Sequence, residues 1–313
     1  MVLSTPISRR RVACLIPCHN EALSIGEVVS GIKELNLDID IIVIDNNCDD
    51  GTPQIAQSLG AKIVQETNLG KGFALRRGFL LSNHEVVLMI DGDATYSLKV
   101  IPEMIQLIDK GFDMVVASRI ANSTNSFPKF HNFGNLIFSK LHNFLLSSNV
   151  DDAFSGLRAF NYAFVKSFQS DSRGFDIETD LNNFASIVGA RVENVQTSYS
   201  ERIGNSTSKL RTFRDGQKIL MRTLRLAWHW RPSTLLLLPT ITLLLTGVFL
   251  VQGPLREYFV TGLVPRLPSL ISGLVLMLTS LLLILFISIS SRMSKMEIGL
   301  MRIYFQQLKI SKF

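Results

Sequence analysis

Val86-Val87-Leu88-Met89-Ile90-Asp91-Gly92-Asp93-Ala94-Thr95-Tyr96 is the stretch on which the fold turns. Its unbroken apolar run reads as a strand buried on both faces, as in a parallel sheet, and it stops at turn residues. Asp91 and Asp93 therefore fall at a strand's carboxyl end, outside which open α/β sheets bind their ligands. In extended chain, residues i and i+2 point to one side, and Gly92 between them lets a ligand approach the backbone. Two hard oxygen ligands side by side suit Mg2+ or Mn2+ bridging a diphosphate. A lone Asp-Gly-Asp is more commonly a plain turn, so the surrounding chain has to decide between the two.

Upstream, Val12-Ala13-Cys14-Leu15-Ile16 reads as a strand closed by Pro17-Cys18-His19-Asn20-Glu21, and Ile25, Val28, Val29, Ile32 and Leu35 give the next helix one apolar face. A second strand from Ile39 ends at Asp45, turn residues Asn46 to Gly51 follow, and Thr52-Pro53 starts a helix as N-cap and first position. Lys62 to Val64 leads into Asn68-Leu69-Gly70-Lys71-Gly72 and a helix through Leu81. Beyond the Asp pair come a helix from Ile101 to Ile108, a strand from Met114 to Ala117, a less regular stretch over 122–148, and a strand from Val192 to Thr197. Strands alternating with helices predict an α/β fold, a mostly parallel sheet with helices on both faces.

The 313 residues are 47% hydrophobic and carry a net charge of +6, and both excesses sit near one end. Lys209 to Arg231 alternates basic residues with Leu210, Phe213, Leu220, Leu224 and Trp228, as in a basic amphipathic helix at a membrane surface. Pro232 to Val251 is uncharged for about 20 residues and Leu267 to Ser291 for about 25, enough for two spans. Lys and Arg crowd before the first span and after the second (Arg292, Lys295, Arg302, Lys309, Lys312), against Arg256 and Arg266 between them. The positive-inside rule then places both flanks, and with them the sheet domain, in the cytoplasm of a two-span cell-membrane protein. Met1 to Arg11 is too short and polar for a signal peptide, and Cys14, Cys18 and Cys48 read as reduced thiols. The basic charge is accounted for without a nucleic-acid partner. The expected domains are a cytosolic α/β domain over 1–208, the amphipathic helix over 209–231, a transmembrane hairpin over 232–291 and a basic tail over 292–313; hairpins of this kind also offer a surface for homo-oligomers.

Gly70-Lys71-Gly72 lacks the spacing of a Walker loop, and no Gly-x-Gly-x-x-Gly follows the first strand, which argues against an ATPase or a dinucleotide dehydrogenase. What the chain does carry, in one order, is Ile16-Pro17-Cys18-His19-Asn20-Glu21, Asp45-Asn46-Asn47-Cys48-Asp49-Asp50-Gly51-Thr52, Asn68-Leu69-Gly70-Lys71-Gly72, Asp91-Gly92-Asp93 and Ala117-Ser118-Arg119. This series resembles family 2 glycosyltransferases of the Rossmann-like GT-A fold over roughly residues 11 to 215. Ser155-Gly156-Leu157-Arg158-Ala159-Phe160, Phe175-Asp176-Ile177-Glu178 and Arg202 with Ser208-Lys209-Leu210 look like the polyprenyl-phosphate (dolichol-phosphate) hexose synthase branch.

The resemblance implies that Pro17, Asn20, Glu21 and Asp45 hold the base and ribose of a nucleotide sugar of UDP-glucose or GDP-mannose type, with Asn47 and Lys71 nearby. It implies that Asp91, Gly92 and Asp93 seat ribose and a Mg2+ or Mn2+ ion, and that Arg119, Arg158, Arg202 and Lys209 meet phosphates of donor or polyprenyl phosphate. Asp151 or Asp152 would orient or deprotonate the acceptor. The chain departs from the family's pattern at Asn46, where the common motif has a second Asp, and at Thr95, where dolichol-phosphate mannose synthases often have Gln. Two other readings stay open: a processive polysaccharide synthase, although Trp230-Arg231 lacks the Gln-x-x-Arg-Trp pattern of those enzymes, and an inactive membrane-anchored nucleotide-sugar binder.

Overall fold

The computed structural model describes residues 12–121, 139–200 and 212–311. Strands and helices alternate through β1 (Val12–Cys18), α1 (Ile25–Glu34), β2 (Ile39–Asp45), α2 (Thr52–Ser58), β3 (Lys62–Gln65), α3 (Lys71–Leu81), β4 (Val86–Met89), α4 (Ile101–Asp109) and β5 (Met114–Ala121). A helix over 139–146, α5, precedes β6 (Arg158–Asn161), α6 (Tyr162–Ser167), α7 (Ile177–Val188) and β7 (Val192–Tyr199). These strands form one sheet in the order β3-β2-β1-β4-β6-β5-β7. β3, β2, β1 and β4 run parallel, as do β5 and β7, and β6 is antiparallel to both β4 and β5.

The expected mostly parallel α/β sheet is therefore present, and the apolar pattern accounts for it. Every residue of β4 is buried, and α1 turns Ile25, Val28, Val29 and Ile32 inward. Each such side chain contributes about 1.5–3 kcal/mol on burial. β6 is the strand that hydrophobic patterning does not flag, because it opens on an arginine. It pairs Arg158 with Met89 and so lays Ser155-Gly156-Leu157 beside the end of β4.

The chain divides into two compact units, one running to Arg222 and resuming at Leu300, the other Thr223–Gly299. α8 (Thr212–Trp230), α9 (Pro232–Thr261) and α10 (Leu267–Ile310) lead through the second. α9 and α10 are long and apolar enough to cross a membrane. They approach closely where Gly247 faces Gly273, the small-residue contact that membrane helices favour. At one end of this hairpin the Ser294 hydroxyl donates to the His229 carbonyl at 2.7 Å, and Trp228 lies against Phe286.

The stretch expected as a basic tail is helical through Ile310, and from Leu300 it belongs to the sheet unit. There Phe305 is fully buried, Arg302 Nε donates to the Ile187 carbonyl at 2.7 Å, and Lys309 Nζ meets the buried Asp113 carboxylate at 2.7 Å.

Candidate active site

The carboxyl ends of β1, β2 and β4 lie along one rim, since Cys18 pairs with Asp45 and Leu15 with Met89 in parallel register. The loops that follow are fastened to one another. Asn20 Nδ2 donates to Asp49 Oδ1 at 2.6 Å while the Asp49 amide donates to Asn20 Oδ1 at 2.9 Å, and the Glu21 amide donates to Thr52 Oγ1 at 2.8 Å. Asp45 Oδ1 accepts the Cys48 amide, and Asn47 Nδ2 reaches the Thr67 carbonyl. Asn20, Asn47 and Ala94, one in each loop, have left-handed φ values of 55°, 61° and 55°. Asparagine tolerates this conformation through local hydrogen bonds, whereas alanine bears a strain of about 1 kcal/mol. Gly92 lies against Cys18 and Glu21 and accepts a 2.7 Å hydrogen bond from Ser24 Oγ at its carbonyl. Pro17, Asn20, Glu21, Asp45, Asn47, Asp91 and Asp93 are thus brought to one rim.

The two aspartates differ in environment. Asp93 is 4% exposed, and its Oδ1 accepts from Thr95 Oγ1 at 2.6 Å and from the Thr95 amide at 3.3 Å. Asp91 is more open and holds a cation: Lys71 Nζ sits 2.5 Å from Asp91 Oδ1 and 2.6 Å from Glu178 Oε1. Burial would lower the Lys71 ammonium, but the two carboxylates carry it above its ordinary value. Glu178 goes the other way, since burial pushes its carboxyl up against the pull of Lys71. A Cβ at Gly156 would collide with the Asp91 carboxylate as it stands, so a larger residue there would displace Asp91 from its present position. The Gly156 amide donates to Tyr96 Oη at 2.7 Å.

Arg119 reaches the same neighbourhood but is engaged. Its Nε and Nη2 meet Asp152 Oδ2 and Oδ1 at 2.5 and 2.9 Å, and its guanidinium lies 5.2 Å from the Tyr199 ring centroid. Burial would raise the Asp152 carboxyl, but the Arg119 hydrogen bonds and charge outweigh it and hold it below the ordinary carboxylate range. Asp151 is exposed, its amide donating to Asn194 Oδ1.

Arg158, expected at a phosphate, is fully buried. Its guanidinium donates to the Ser155 carbonyl at 2.9 Å, the Ala153 carbonyl at 3.0 Å and Asn182 Oδ1 at 2.5 Å, so it holds framework together. Next to it, burial and the Arg158 charge push His142 down to about 4. Arg202 and Lys209 lie outside the described residues. The chain enters that stretch beside the aspartate loop, where the Ser200 amide donates to the Thr95 carbonyl at 2.9 Å.

Asn46 is buried too. Its Nδ2 donates to the Glu66 and Asn68 carbonyls at 3.1 and 2.7 Å and its Oδ1 accepts the Gly70 amide at 2.6 Å. The departure from Asp at this position is therefore a staple for the Lys71 loop. Thr95, the other departure, aims Asp93. Residue-type reasoning overlooked Lys71's partner Glu178, although the Phe175–Glu178 motif contained it, and it gave Tyr96 and Asn46 no role.

Comparison with known proteins places this geometry in context. The profile described as "Glycosyl transferase family 2" matches residues 13–168. The chain is 31% identical over 220 residues to glycosyltransferase AglJ of Haloferax volcanii, covering 69% of this chain and 72% of that protein. It is 28% identical over 209 residues to the dolichyl-phosphate hexose transferase of the same organism, covering 66% of this chain and 90% of that protein. Among solved structures, glucosyl-3-phosphoglycerate synthase from Mycobacterium tuberculosis, crystallised with Mn2+, UDP-glucose and phosphoglyceric acid, shares the fold with a TM-score of 0.56. It is 18% identical, with 70% of this chain and 80% of that one covered.

Proposed function

Because the chain belongs to glycosyl transferase family 2, we propose that it transfers a hexose, glucose or mannose, from a nucleoside diphosphate sugar to a polyprenyl phosphate at the cytoplasmic face of a membrane. The observation that carries this reading is the rim of strand ends: Asp93 aimed by Thr95 and Asp91 paired to Lys71 stand beside the β1 and β2 loops, in a chain with two helices apolar enough to span a bilayer. The dolichyl-phosphate hexose transferase likeness supports the acceptor class. The Lys and Arg bias of the two flanks supports placing them on the cytoplasmic side.

In this reaction an acceptor phosphate oxygen bonds to the anomeric carbon as the bond from that carbon to the diphosphate oxygen breaks. The displacement is direct and inverts the carbon. A phosphate monoester has a second pKa of about 6, so the nucleophile is largely ionised at neutral pH and needs no strong base. Asp152, held as an anion by Arg119, suits an orienting part. Pro17, Asn20, Glu21, Asp45 and Asn47 hold base and ribose. Arg202 and Lys209 are assigned to the lipid phosphate.

Among the described residues no group of three or more His, Cys, Asp or Glu gathers as a metal site. Two carboxylates at a strand end fit Mg2+ or Mn2+ all the same, because such ions take one or two carboxylates and complete their shell with substrate phosphates and water. Asp93 would be the principal ligand and Asp91, which also pairs with Lys71, the second. Bound there, the ion would supply charge neutralisation to the departing diphosphate.

Labelled-sugar transfer to a polyprenyl phosphate, assayed across UDP-glucose, GDP-mannose and related donors, tests the reading. The wild type is expected to transfer from one donor, and Asp93→Ala to lose transfer by about a hundredfold or more while remaining folded. Undiminished transfer with a chelator present would remove the metal seat, and no transfer from any donor would overturn the reaction.

A further inference from the structure

Arg222 lies on α8, in the stretch whose pattern is that of a basic helix at a membrane surface, yet its guanidinium is buried in carboxylates. Nε and Nη2 meet Asp180 Oδ1 and Oδ2 at 2.7 and 2.6 Å, Nη2 also pairs with Asp171, and Asp176 Oδ2 lies 3.9 Å from Nε. Asp180 is on α7, two residues beyond Glu178. Positions i and i+2 do not share a helix face, so α7 offers Asp180 to Arg222 and Glu178 to Lys71 from different sides.

A second route starts from the same guanidinium. Asp171 belongs to the segment Ser170-Asp171-Ser172-Arg173, whose Ser170 hydroxyl donates to Asp180 and whose Ser170 carbonyl accepts from Arg76 Nη1 at 2.7 Å. That segment lies backbone to backbone on the Lys71 turn: a Cβ at Gly72 would stand 2.5 Å from the Ser172 carbonyl oxygen. Both routes from Arg222 therefore end at Lys71, the cation that holds Asp91.

We propose that Arg222 is a positioning residue: by seating α7 and the 170–173 segment from the juxtamembrane helix, it keeps Lys71 between Glu178 and Asp91, so that the donor site is complete only when this part of α8 is docked. This rests on the assignment of Asp91 and Lys71 to the donor. It makes donor binding dependent on the segment of α8 that carries Arg222.

The test uses the full chain in lipid nanodiscs. Lys71 is acetylated with an amine-reactive reagent and its labelling rate read by mass spectrometry, with the exposed Lys62 as internal reference. In wild type the buried Lys71 is expected to label slowly. Arg222→Ala should raise its rate by about tenfold or more through local opening. Arg222→Lys keeps the charge without the bidentate fork and should raise it by roughly threefold. On the same preparations, donor KM should rise by about tenfold in Arg222→Ala and acceptor KM by less than about twofold. Unchanged Lys71 labelling in a folded Arg222→Ala, or in Arg222→Lys where the alanine variant does not fold, overturns the coupling. Faster labelling with unchanged donor KM overturns the positioning role. Absence of transfer by the wild type from every donor overturns the reading of the site, and the catalytic part of this proposal with it, while the labelling comparison still decides the link from Arg222 to Lys71.

Discussion

Asn46→Asp restores the residue that the resembling glycosyltransferases carry at this position, and the structure predicts that it harms this protein. The side chain is 3% exposed and uses its amide fully, with two donors on the Glu66 and Asn68 carbonyls and one acceptor under the Gly70 amide. A carboxylate keeps the acceptor and loses both donors, leaving the part-buried Glu66 and Asn68 carbonyls opposite a negative charge. Each acceptor stripped of its partner costs about 1–3 kcal/mol, and the stronger bond from the Gly70 amide to a charged oxygen returns roughly 1 kcal/mol. The net loss is about 1–5 kcal/mol, which for a unit of this size lowers Tm by roughly 2–20 °C. The loop so loosened carries Lys71, so nucleotide affinity should fall with stability. The sign with pH follows from the carboxyl being disfavoured as an anion in the folded state. Its folded pKa stands above the unfolded value of about 3.9, so the ionic penalty is absent below that value and grows as pH rises through the interval. Thermal unfolding and nucleotide binding, measured at pH 5 and pH 8, should show the variant closer to wild type at the lower pH. An Asn46→Asp protein with wild-type Tm and nucleotide affinity at neutral pH would refute the staple.

Two further predictions concern charged groups whose placement is now visible. Arg158→Ala should fail in folding and not selectively in acceptor binding, because it bares three buried acceptors at about 1–3 kcal/mol each; a variant with wild-type Tm that loses only lipid-phosphate affinity would return Arg158 to the phosphate clamp. Asp152→Asn should cost up to about 3 kcal/mol at neutral pH, the lower bound for breaking a buried pair, since Arg119 keeps some exposure. Because Arg119 depresses the folded pKa of Asp152, its contribution is present above the unfolded value and lost as pH falls through the depressed one, so urea unfolding should show a shallower acid limb in the variant than in wild type.

The strands could be read from the sequence wherever burial on both faces makes a continuous apolar run, as in β1 and β4, and the aspartate pair could be placed because it ends such a run. β6 escaped the same logic for a physical reason: a short strand paired on both sides can bury a guanidinium, provided carbonyls and an amide receive it, and Arg158 has them. The same limit governed the site. Residue type tells which groups can bind phosphate, but the partner that already occupies a charge is set by contacts across the chain, such as Lys71 with Glu178 and Arg119 with Asp152.

Arg222 is the sharpest instance. Within a helix of alternating basic and apolar residues it is indistinguishable from its neighbours, and periodicity assigns it to headgroups. Asp176 and Asp180 lie where α7 opens, and Asp171 in the segment before it. Only their convergence reveals that one arginine of the basic face turns inward and meets them. A cation surrounded by three carboxylates is held by all of them, while each carboxylate left without it would face like charges in a partly dry site. The arginine therefore constrains several carboxylates at once, and the position of α7, hence of Glu178 and Lys71, is fixed more firmly by this one guanidinium than any local propensity of the helix would fix it.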